Sequence, residues 1–402
     1  MKEVKEMKIM KEIFRLRSVL RAGLLHGLQH PQLLHVPVWL VAGAALFAAP
    51  QTATVNWPQF RQNTANTGVA STTLPPALKL LWSYTAGQAI ESTAAVVDDV
   101  AYVGTAGGEL LAIDMASGKP KWKYQAVSAD YGIGSSSPAV ANGVVYVGDL
   151  QGVFHAVDAA TGKVRWTHKT GSEIKSSPVI VDGKVLIGSY DGHLYAFEAA
   201  SGKLAWKVGT ENYVHATPAI VNGVAYFGGC DEIFHGVRVS DGAHVVEMRL
   251  DAYTAGSPAA FNGVAYFGTF NNDVVAVDIA AKKVKWRFED KDRQFPYYSS
   301  PAIASGLVVI GGRDKNVRAI DLATGKPRWA FATRARVDSS PAIAGNRVAI
   351  GSSDGHLYVL DLASGKKLWE FDATAAILAS PAIVNGKIVV GDMDGRLYAF
   401  GS

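Results

Sequence analysis

The chain is built from copies of one segment that repeats about every forty residues up to the C-terminus. In the copy at residues 136–168, the runs SSPAV and VVYVG are joined by Asn142-Gly143, a dipeptide suited to a two-residue hairpin. Turns at Gln151-Gly152 and Thr161-Gly162-Lys163 then lead into the runs VFHAVDA and VRWTH. Four antiparallel strands, labelled A to D, in a segment of this length are typical of one propeller blade.

The copies can be counted from two positions that recur in every one of them. Strand D carries tryptophan in all copies except one, which has Val246 instead: Trp82, Trp122, Trp166, Trp206, Trp286, Trp329 and Trp369. Strand A follows a proline, or Ala94 in the first copy: Pro138, Pro178, Pro218, Pro258, Pro301, Pro341 and Pro381. Both counts give eight. The recurring tryptophans are expected to be structural residues that dock one blade on the next.

The first and last copies are incomplete in complementary ways. Leu81 to Tyr84 form a strand D with no strands A to C before it, and the last copy stops after its strand C, LYAF. A ring closed by an N-terminal strand that completes the last blade leaves no unpaired edge. The sequence therefore predicts an all-β fold, a closed eight-bladed β-propeller of four-stranded antiparallel blades over residues 81–402. No polar capping repeats of the kind an open solenoid needs are present.

Residues 1–53 read as an export signal. They have a basic start and then a run of fourteen uncharged, mostly apolar residues, Val36 to Ala49. That run is shorter than the roughly 20 residues that span a bilayer, so cleavage is favoured and a membrane anchor through residues 36–49 is the alternative. The sequence predicts an exported, periplasmic protein. Cys230 is its one cysteine, so no disulfide forms within the chain, and no cysteine stands near the signal to carry a lipid.

The charge balance excludes nucleic acid as a partner. The whole chain has 39 basic and 35 acidic residues, but residues 1–53 hold seven and three of them, which leaves 32 of each in the remainder. The folded part thus has no net positive field to attract phosphates. Residues 54–80, which include the run Trp57-Pro58-Gln59-Phe60-Arg61, read as an extended lead-in arm laid on the main body.

The segments AIDMASGKPKW, AVDAATGKVRW, AFEAASGKLAW, AVDIAAKKVKW, AIDLATGKPRW and VLDLASGKKLW resemble the tryptophan-docking repeat of pyrroloquinoline-quinone (PQQ)-type propellers. The arm WPQFRQN is similar to the leader of such proteins. The resemblance implies the fold, whereas the family includes quinoprotein dehydrogenases, the outer-membrane assembly factor BamB and exported proteins of other kinds. The fourth full copy, VRVSDGAHVV, ends in Val246 instead of tryptophan, so one blade junction is expected to differ.

One position varies while the scaffold stays constant. Three residues before each strand-A proline, or before Ala94, the copies place a mixed set that is expected to surround the mouth of the central channel: Glu91, Ser135, Lys175, His215, Ala255, Tyr298, Asp338 and Leu378. We call this set the mouth ring. Its candidate binding residues are Glu91, Lys175, His215, Tyr298 and Asp338. The competing interpretation is a loop position that drifts freely.

Acidic residues recur in the B-to-C turns on the same face and are interpreted mainly as turn residues that bond their own backbone: Asp191, Asp231, Asp314, Asp354 and Asp394. One blade gathers several potential ligands: His215, Cys230, Asp231, Glu232 and His235. Their spacing matches no ligand motif, so no metal site is predicted.

Catalytic equipment is missing from the pattern, and no catalytic residue is predicted. The copies lie 40 to 44 residues apart, which leaves no room for a lid, and the chain has no adjacent cysteines and no nucleophile or phosphate motif. The sequence favours a monomeric, cofactor-free scaffold that binds a protein or peptide partner in the cell envelope, similar to BamB in outer-membrane assembly. One alternative is a PQQ-dependent dehydrogenase that oxidises alcohols or sugars with calcium as a second cofactor. The other is a carbohydrate-binding or sensor module.

Overall fold

The structure, a computed structural model, describes residues 55–126, 131–254 and 256–402. The predicted export signal, its alternative role as an anchor, and Ala255 of the mouth ring lie outside the described residues. Within the described part there is no helix with the length and apolarity needed to cross a bilayer.

The described residues form 32 strands in eight four-stranded antiparallel sheets, which confirms the predicted eight-bladed β-propeller. The chain begins with β1 (Lys79–Thr85), and blade 1 follows as β2 (Ala95–Val97), β3 (Val100–Gly104), β4 (Glu109–Asp114) and β5 (Pro120–Gln125). Blade 2 consists of β6 (Ala139–Ala141), β7 (Val144–Gly148), β8 (Val153–Asp158) and β9 (Val164–Lys169). Blade 3 consists of β10 (Val179–Val181), β11 (Lys184–Ser189), β12 (His193–Glu198) and β13 (Leu204–Gly209). Blade 4 consists of β14 (Ala219–Val221), β15 (Val224–Gly228), β16 (Ile233–Arg238) and β17 (His244–Arg249).

The second half of the chain continues the same order. Blade 5 consists of β18 (Ala259–Phe261), β19 (Val264–Gly268), β20 (Asp273–Asp278) and β21 (Lys283–Glu289). Blade 6 consists of β22 (Ala302–Ala304), β23 (Leu307–Gly311), β24 (Asn316–Asp321) and β25 (Pro327–Ala332). Blade 7 consists of β26 (Ala342–Ala344), β27 (Arg347–Gly351), β28 (His356–Asp361) and β29 (Lys367–Asp372). Blade 8 consists of β30 (Ala382–Val384), β31 (Lys387–Gly391), β32 (Arg396–Gly401) and β1.

The first and last strands of the described chain meet in blade 8. Strand β1 pairs antiparallel with β32, and Trp82 lies opposite Ala399. On the other side of this blade, Ile90 lies against Gly391, a contact that each junction repeats between the last glycine of a strand B and the segment entering the next blade. The first and last blades are therefore joined in the same way as consecutive ones.

Tryptophan docking follows one geometry at seven junctions. Each indole N–H donates to a backbone carbonyl at 2.9 to 3.1 Å, in the next blade for six of them and in the arm, at Leu78, for Trp369. In those six cases the ring lies on a glycine with positive φ, where an added Cβ would come within 2.5 to 2.8 Å of the indole: Gly118, Gly162, Gly202, Gly242, Gly325 and Gly365. Only a residue without a side chain fits between the turn and the ring.

The junction between blades 4 and 5 departs from this geometry on both of its sides. Val246 replaces the tryptophan, and Lys282, with φ of 51°, stands where the other turns have glycine. The Lys282 ammonium donates to the carbonyl of Val245 at 3.1 Å. Without an indole above it, the turn has room for a side chain, so the loss of the tryptophan and the loss of the glycine accompany each other.

The lead-in arm runs along the innermost strands and hydrogen-bonds to seven blades in succession. Trp57 exchanges two backbone hydrogen bonds with Val96 of blade 1, each 2.8 Å long. Arm oxygens then accept the backbone N–H at the corresponding residue of blades 2 to 7: Val140, Ile180, Ile220, Ala260, Ile303 and Ile343. Asn66 is completely buried, and its amide donates to three backbone carbonyls of blades 4 and 5, each 3.1 Å away. The arm is thus part of the core.

Candidate functional site

The described mouth-ring residues line one cavity of about 130 Å³ at the channel axis: Glu91, Ser135, Lys175, His215, Tyr298, Asp338 and Leu378. The D-to-A loops and the B-to-C turns surround this opening, and we call the surface they form the mouth face. Phe60 of the arm lines the same cavity. The channel is therefore open toward the mouth face and occupied by the arm further in.

A second ring of hydroxyl groups lies below the mouth ring, one residue before each strand-A proline or, in blade 1, before Ala94. Its members are Thr93, Ser137, Ser177, Thr217, Ser257, Ser300, Ser340 and Ser380, and all of them line the cavity. Seven of these hydroxyls accept the backbone N–H of the corresponding residue in the preceding blade, at 2.9 to 3.0 Å. Sequence reasoning missed this ring because it considered only the variable position, although serine or threonine recurs here in every copy.

Lys175 and His215 are held together by Tyr190, a residue the sequence did not single out. The Lys175 ammonium lies 4.7 Å from the centre of the Tyr190 ring and 2.9 Å from the Glu173 carboxylate. The Tyr190 hydroxyl lies 2.7 Å from His215 Nδ1. Burial, together with the positive charge of Lys175, lowers the pKa of His215 to about 4. At neutral pH this corner of the mouth therefore presents the Lys175–Glu173 ion pair beside a neutral imidazole.

Acidification is expected to weaken the fold through His215. Its folded pKa of about 4 lies below the ordinary value near 6.5, so the unfolded chain binds more protons between these pH values. The stabilisation is complete above pH 6.5 and is lost as the pH falls toward 4, by about 2 kcal/mol once screening at the open mouth is allowed for. Urea unfolding of the wild type and of His215→Asn at pH 7 and 4.5 measures this loss. Parallel losses in both proteins would contradict it.

Tyr298 and Asp338 are joined by Arg313, which follows strand B of blade 6 and which the sequence analysis also missed. The Arg313 guanidinium stacks 3.4 Å from the centre of the Tyr298 ring and donates to both Asp338 oxygens at 2.8 and 3.0 Å. Arg336 lies 3.2 Å from the same carboxylate. The negative charge of Asp338 is thus compensated within the mouth, and the guanidinium fixes the Tyr298 ring.

Aromatic side chains extend the site outward over the mouth face. Among the described residues six Tyr or Phe side chains are exposed, by 37 to 50%, and five of them lie in D-to-A loops or B-to-C turns: Tyr131, Tyr213, Tyr253, Phe270 and Phe295. The sixth, Phe261, is in an A-to-B hairpin on the opposite face. The exposed aromatic surface is therefore concentrated on one side of the disc.

The B-to-C turn aspartates have a further role besides bonding their own backbone. Asp191, Asp231, Asp314 and Asp354 each also bind a side chain of strand C in their own blade at 2.6 to 2.9 Å: Tyr195, His235, Arg318 and Tyr358. In blade 8 the contact to strand C is made by Asp392, which accepts from Tyr398 at 2.8 Å, and not by Asp394. The interpretation of these residues mainly as turn formers was therefore too narrow, because buried hydroxyl, imidazole and guanidinium groups need partners.

The mouth does not fit a quinone held over a calcium ion. Calcium takes six to eight oxygen ligands, several of them carboxylates. Of the mouth-ring residues that the structure describes, only Glu91 and Asp338 are acidic, and both oxygens of Asp338 already accept from Arg313. The cavity of about 130 Å³ is also small beside the ~300 to 1,000 Å³ of pockets that enclose drug-sized molecules.

Known structures share this architecture at low sequence identity. A europium-containing methanol dehydrogenase is 15% identical, with a TM-score of 0.76 over 87% of this chain and 98% of its own. BamB from Moraxella catarrhalis is 19% identical, with a TM-score of 0.69 over 81% of this chain and 98% of its own. Quinohemoprotein alcohol dehydrogenase from Comamonas testosteroni is 17% identical, with a TM-score of 0.72 over 86% of this chain and 80% of its own. At such identities the likeness is one of fold.

Sequence comparison is more specific. No curated protein matches the chain. A family model described as outer membrane protein assembly factor BamB matches residues 74–140, 128–312 and 296–401, which together span most of the chain and all eight blades. The chain therefore belongs to the BamB family of PQQ-like β-propellers.

Proposed function

We propose that the protein is a non-catalytic scaffold of the cell envelope that binds a protein or peptide partner on its mouth face. The observation that carries this proposal is the concentration of exposed aromatic side chains on that face. Large exposed aromatic groups cost free energy in water, and tyrosine and arginine are the residues that dominate the energetics of protein interfaces. Membership of the BamB family supports a role in the assembly of outer-membrane proteins.

Three of the exposed rings, those of Tyr213, Tyr253 and Phe270, are held in place by neighbouring aromatic side chains. Tyr213 stacks on Tyr190 with ring centres 4.6 Å apart and planes inclined by 8°. Phe270 meets Tyr298 edge-on at 5.1 Å and Tyr253 at 6.5 Å. Rings fixed before binding lose little conformational freedom when a partner covers them, so the affinity they provide is not offset by ordering.

Charged groups at the mouth would fix the orientation of such a partner. Lys175, which is paired with Glu173, keeps its ammonium at the rim, with a third of its side chain exposed. Arg336 is half exposed beside Asp338, which is already paired with Arg313. Cations around an aromatic surface favour a partner segment that alternates apolar and acidic residues.

The proposal is tested by cross-linking from chosen positions. A photoreactive phenylalanine replaces Tyr213 in one variant and Phe261 in another, and both are irradiated with envelope extract. We expect a discrete adduct from position 213 and none from position 261, since both side chains are about as exposed but lie on opposite faces. The matched pair therefore separates a specific surface from general stickiness.

A second arm uses ordinary substitutions. Tyr213→Ser with Tyr253→Ser is expected to weaken capture of the cross-linked partner at least ~10-fold, whereas Phe261→Ser leaves it unchanged. Equal adducts from both faces, or capture that survives the double substitution, would contradict the proposal. Release of a glycan instead of a polypeptide from the adduct would favour the carbohydrate-binding alternative.

A further inference from the structure

Blade 4 brings together three side chains that can ligate a metal ion, away from the mouth ring. His235 comes from β16, and His244 and Glu247 come from β17; one ligand atom from each lies within 4.8 Å of the others. In the sheet register His235 is opposite Glu247, and His244 is opposite Val237, two residues along from His235. The three side chains therefore share the face of the blade that packs against blade 3, where Val237 is buried. His215, Cys230 and Glu232, which the sequence grouped with His235, are not part of this cluster.

His235 is already oriented as a ligand. Its side chain is 3% exposed, and Nε2 lies 2.8 Å from a fully buried oxygen of Asp231. A carboxylate can only accept, so the proton between these two groups belongs to Nε2, and Nδ1 is the ring nitrogen whose lone pair can bind a metal ion. That Nδ1 is buried and has no hydrogen-bond partner among the described residues. Metal-binding histidines are held in the same way, with the second ring nitrogen donating to a carboxylate.

Blade 2 shows what this position looks like when the protein alone satisfies it. His155 occupies the same place in strand C, and its Nε2 lies 2.9 Å from Asp149. There Nδ1 is paired, at 3.1 Å from the Tyr124 hydroxyl of blade 1.

The surroundings of His235 differ from those of His155 at each relevant position. The residue of blade 3 that corresponds to Tyr124 is Val208, which has no hydroxyl. In strand D, blade 2 has Val164 and Thr167 where blade 4 has His244 and Glu247. Blade 4 has thus lost the internal partner of the imidazole and gained two ligating side chains.

We propose that His235, His244 and Glu247 bind a divalent transition-metal cation of the zinc class. Two imidazoles and one carboxylate are a ligand set that zinc takes with a fourth position open to water. His244 Nδ1 and Glu247 Oε1 are 3.2 Å apart, close to the ~3.3 Å between two ligands that lie 2.0–2.1 Å from a tetrahedral ion. The three ligand atoms together spread over up to 4.8 Å, so the exposed side chains of His244 and Glu247 would rotate toward His235 when the ion binds. The side chains of His244 and Glu247 are 30% and 60% exposed, so the ion can enter from solvent while His235 stays buried.

The test uses the full chain without a histidine tag, first depleted of metal. Calorimetric titration with Zn²⁺ is expected to show one saturable site, and Co²⁺ is expected to give the visible absorption of a four- or five-coordinate ion. His244→Val, which copies the residue of blade 2, and Glu247→Gln should each weaken Zn²⁺ binding by ~100-fold or more, beyond typical outer-shell losses. Both positions are partly exposed, so the variants are expected to fold, and their melting temperatures without metal verify this.

His193→Val is the matched control. His193 is also an exposed imidazole beside a turn aspartate, with its side chain 32% exposed, and it lies outside the cluster. Zn²⁺ should bind this variant like the wild type and raise the melting temperature of both, but not that of His244→Val. The proposal is overturned if the wild type shows no saturable site, if His244→Val and Glu247→Gln bind unchanged, or if His193→Val loses as much affinity as they do.

Discussion

The substitution Asn66→Asp is expected to destabilise the propeller by about 4 kcal/mol at neutral pH, the largest effect of any single change considered. The Asn66 amide nitrogen donates to the carbonyls of Thr217, Pro218 and Pro258, and the residue is completely buried. An aspartate has the same shape and tolerates the positive φ of 58° at this position. It replaces the two N–H groups that these three carbonyls share by a buried negative charge that faces the carbonyl oxygens.

Asn63→Asp serves as the control for this prediction. Asn63 is half-buried on the same arm, and its Oδ1 accepts from the Thr67 backbone N–H at 3.2 Å, a bond that a carboxylate retains. Its substitution is expected to cost about 1 kcal/mol or less. Urea unfolding at pH 7 and pH 5 measures both variants. Because burial raises the pKa of the introduced carboxyl, the penalty at position 66 should shrink as the pH falls. Similar losses at the two positions would contradict the role assigned to the arm.

Gly202→Ala is expected to cost about 3 kcal/mol, the sum of a strained backbone and an overpacked junction. Gly202 has φ of +71°, and an added Cβ would lie 2.5 Å from the indole of Trp166. That partly buried indole also packs against Tyr146, Phe154 and Phe197, which oppose its movement away from the turn.

Gly183→Ala isolates the backbone contribution to that cost. Gly183 has φ of +73° and nothing within 4 Å of an added Cβ, so its substitution is expected to cost about 1 kcal/mol. The difference between the two variants in free energy of unfolding is therefore the steric cost at the indole. Equal losses of unfolding free energy in the two variants would mean that Trp166 moves aside at no cost. Tryptophan docking would then not depend on a glycine in the turn.

The blade count and the docking positions could be predicted from the sequence because both follow from repetition. Hairpin dipeptides such as Asn142-Gly143 recur at a fixed spacing, and in the structure both residues have positive φ, as their turn requires. The missing tryptophan at Val246 was visible for the same reason, because one exception stands out in a regular repeat. The lysine at position 282, where the other turns have glycine, was equally visible. It could be interpreted only once the structure showed that the indole lies on this turn at the other junctions.

The contacts of the arm and the mouth could not be predicted, because they depend on which residues closure brings together. The arm has no period, so nothing in its sequence shows that successive residues bond successive blades. Arg313 lies 25 residues before Asp338 in the chain, and only the ring geometry places its guanidinium between Asp338 and Tyr298. The cluster in blade 4 was partly visible as a concentration of ligating residues, but strand register, and not spacing, selects His244 and Glu247.

The contacts of the arm also constrain the number of blades. Its oxygens accept from blades 2 to 7 in the order of the chain after Trp57 has joined blade 1, so each segment of the arm is assigned to one particular blade. Repeat arrays commonly change size by tandem duplication or deletion of a repeat. Such a change in this chain would shift the hydrogen bonds between the arm and every blade after the changed one. The contacts of the arm therefore fit a propeller with this number of blades. A change in the number of blades during evolution would have required a matching change in the arm.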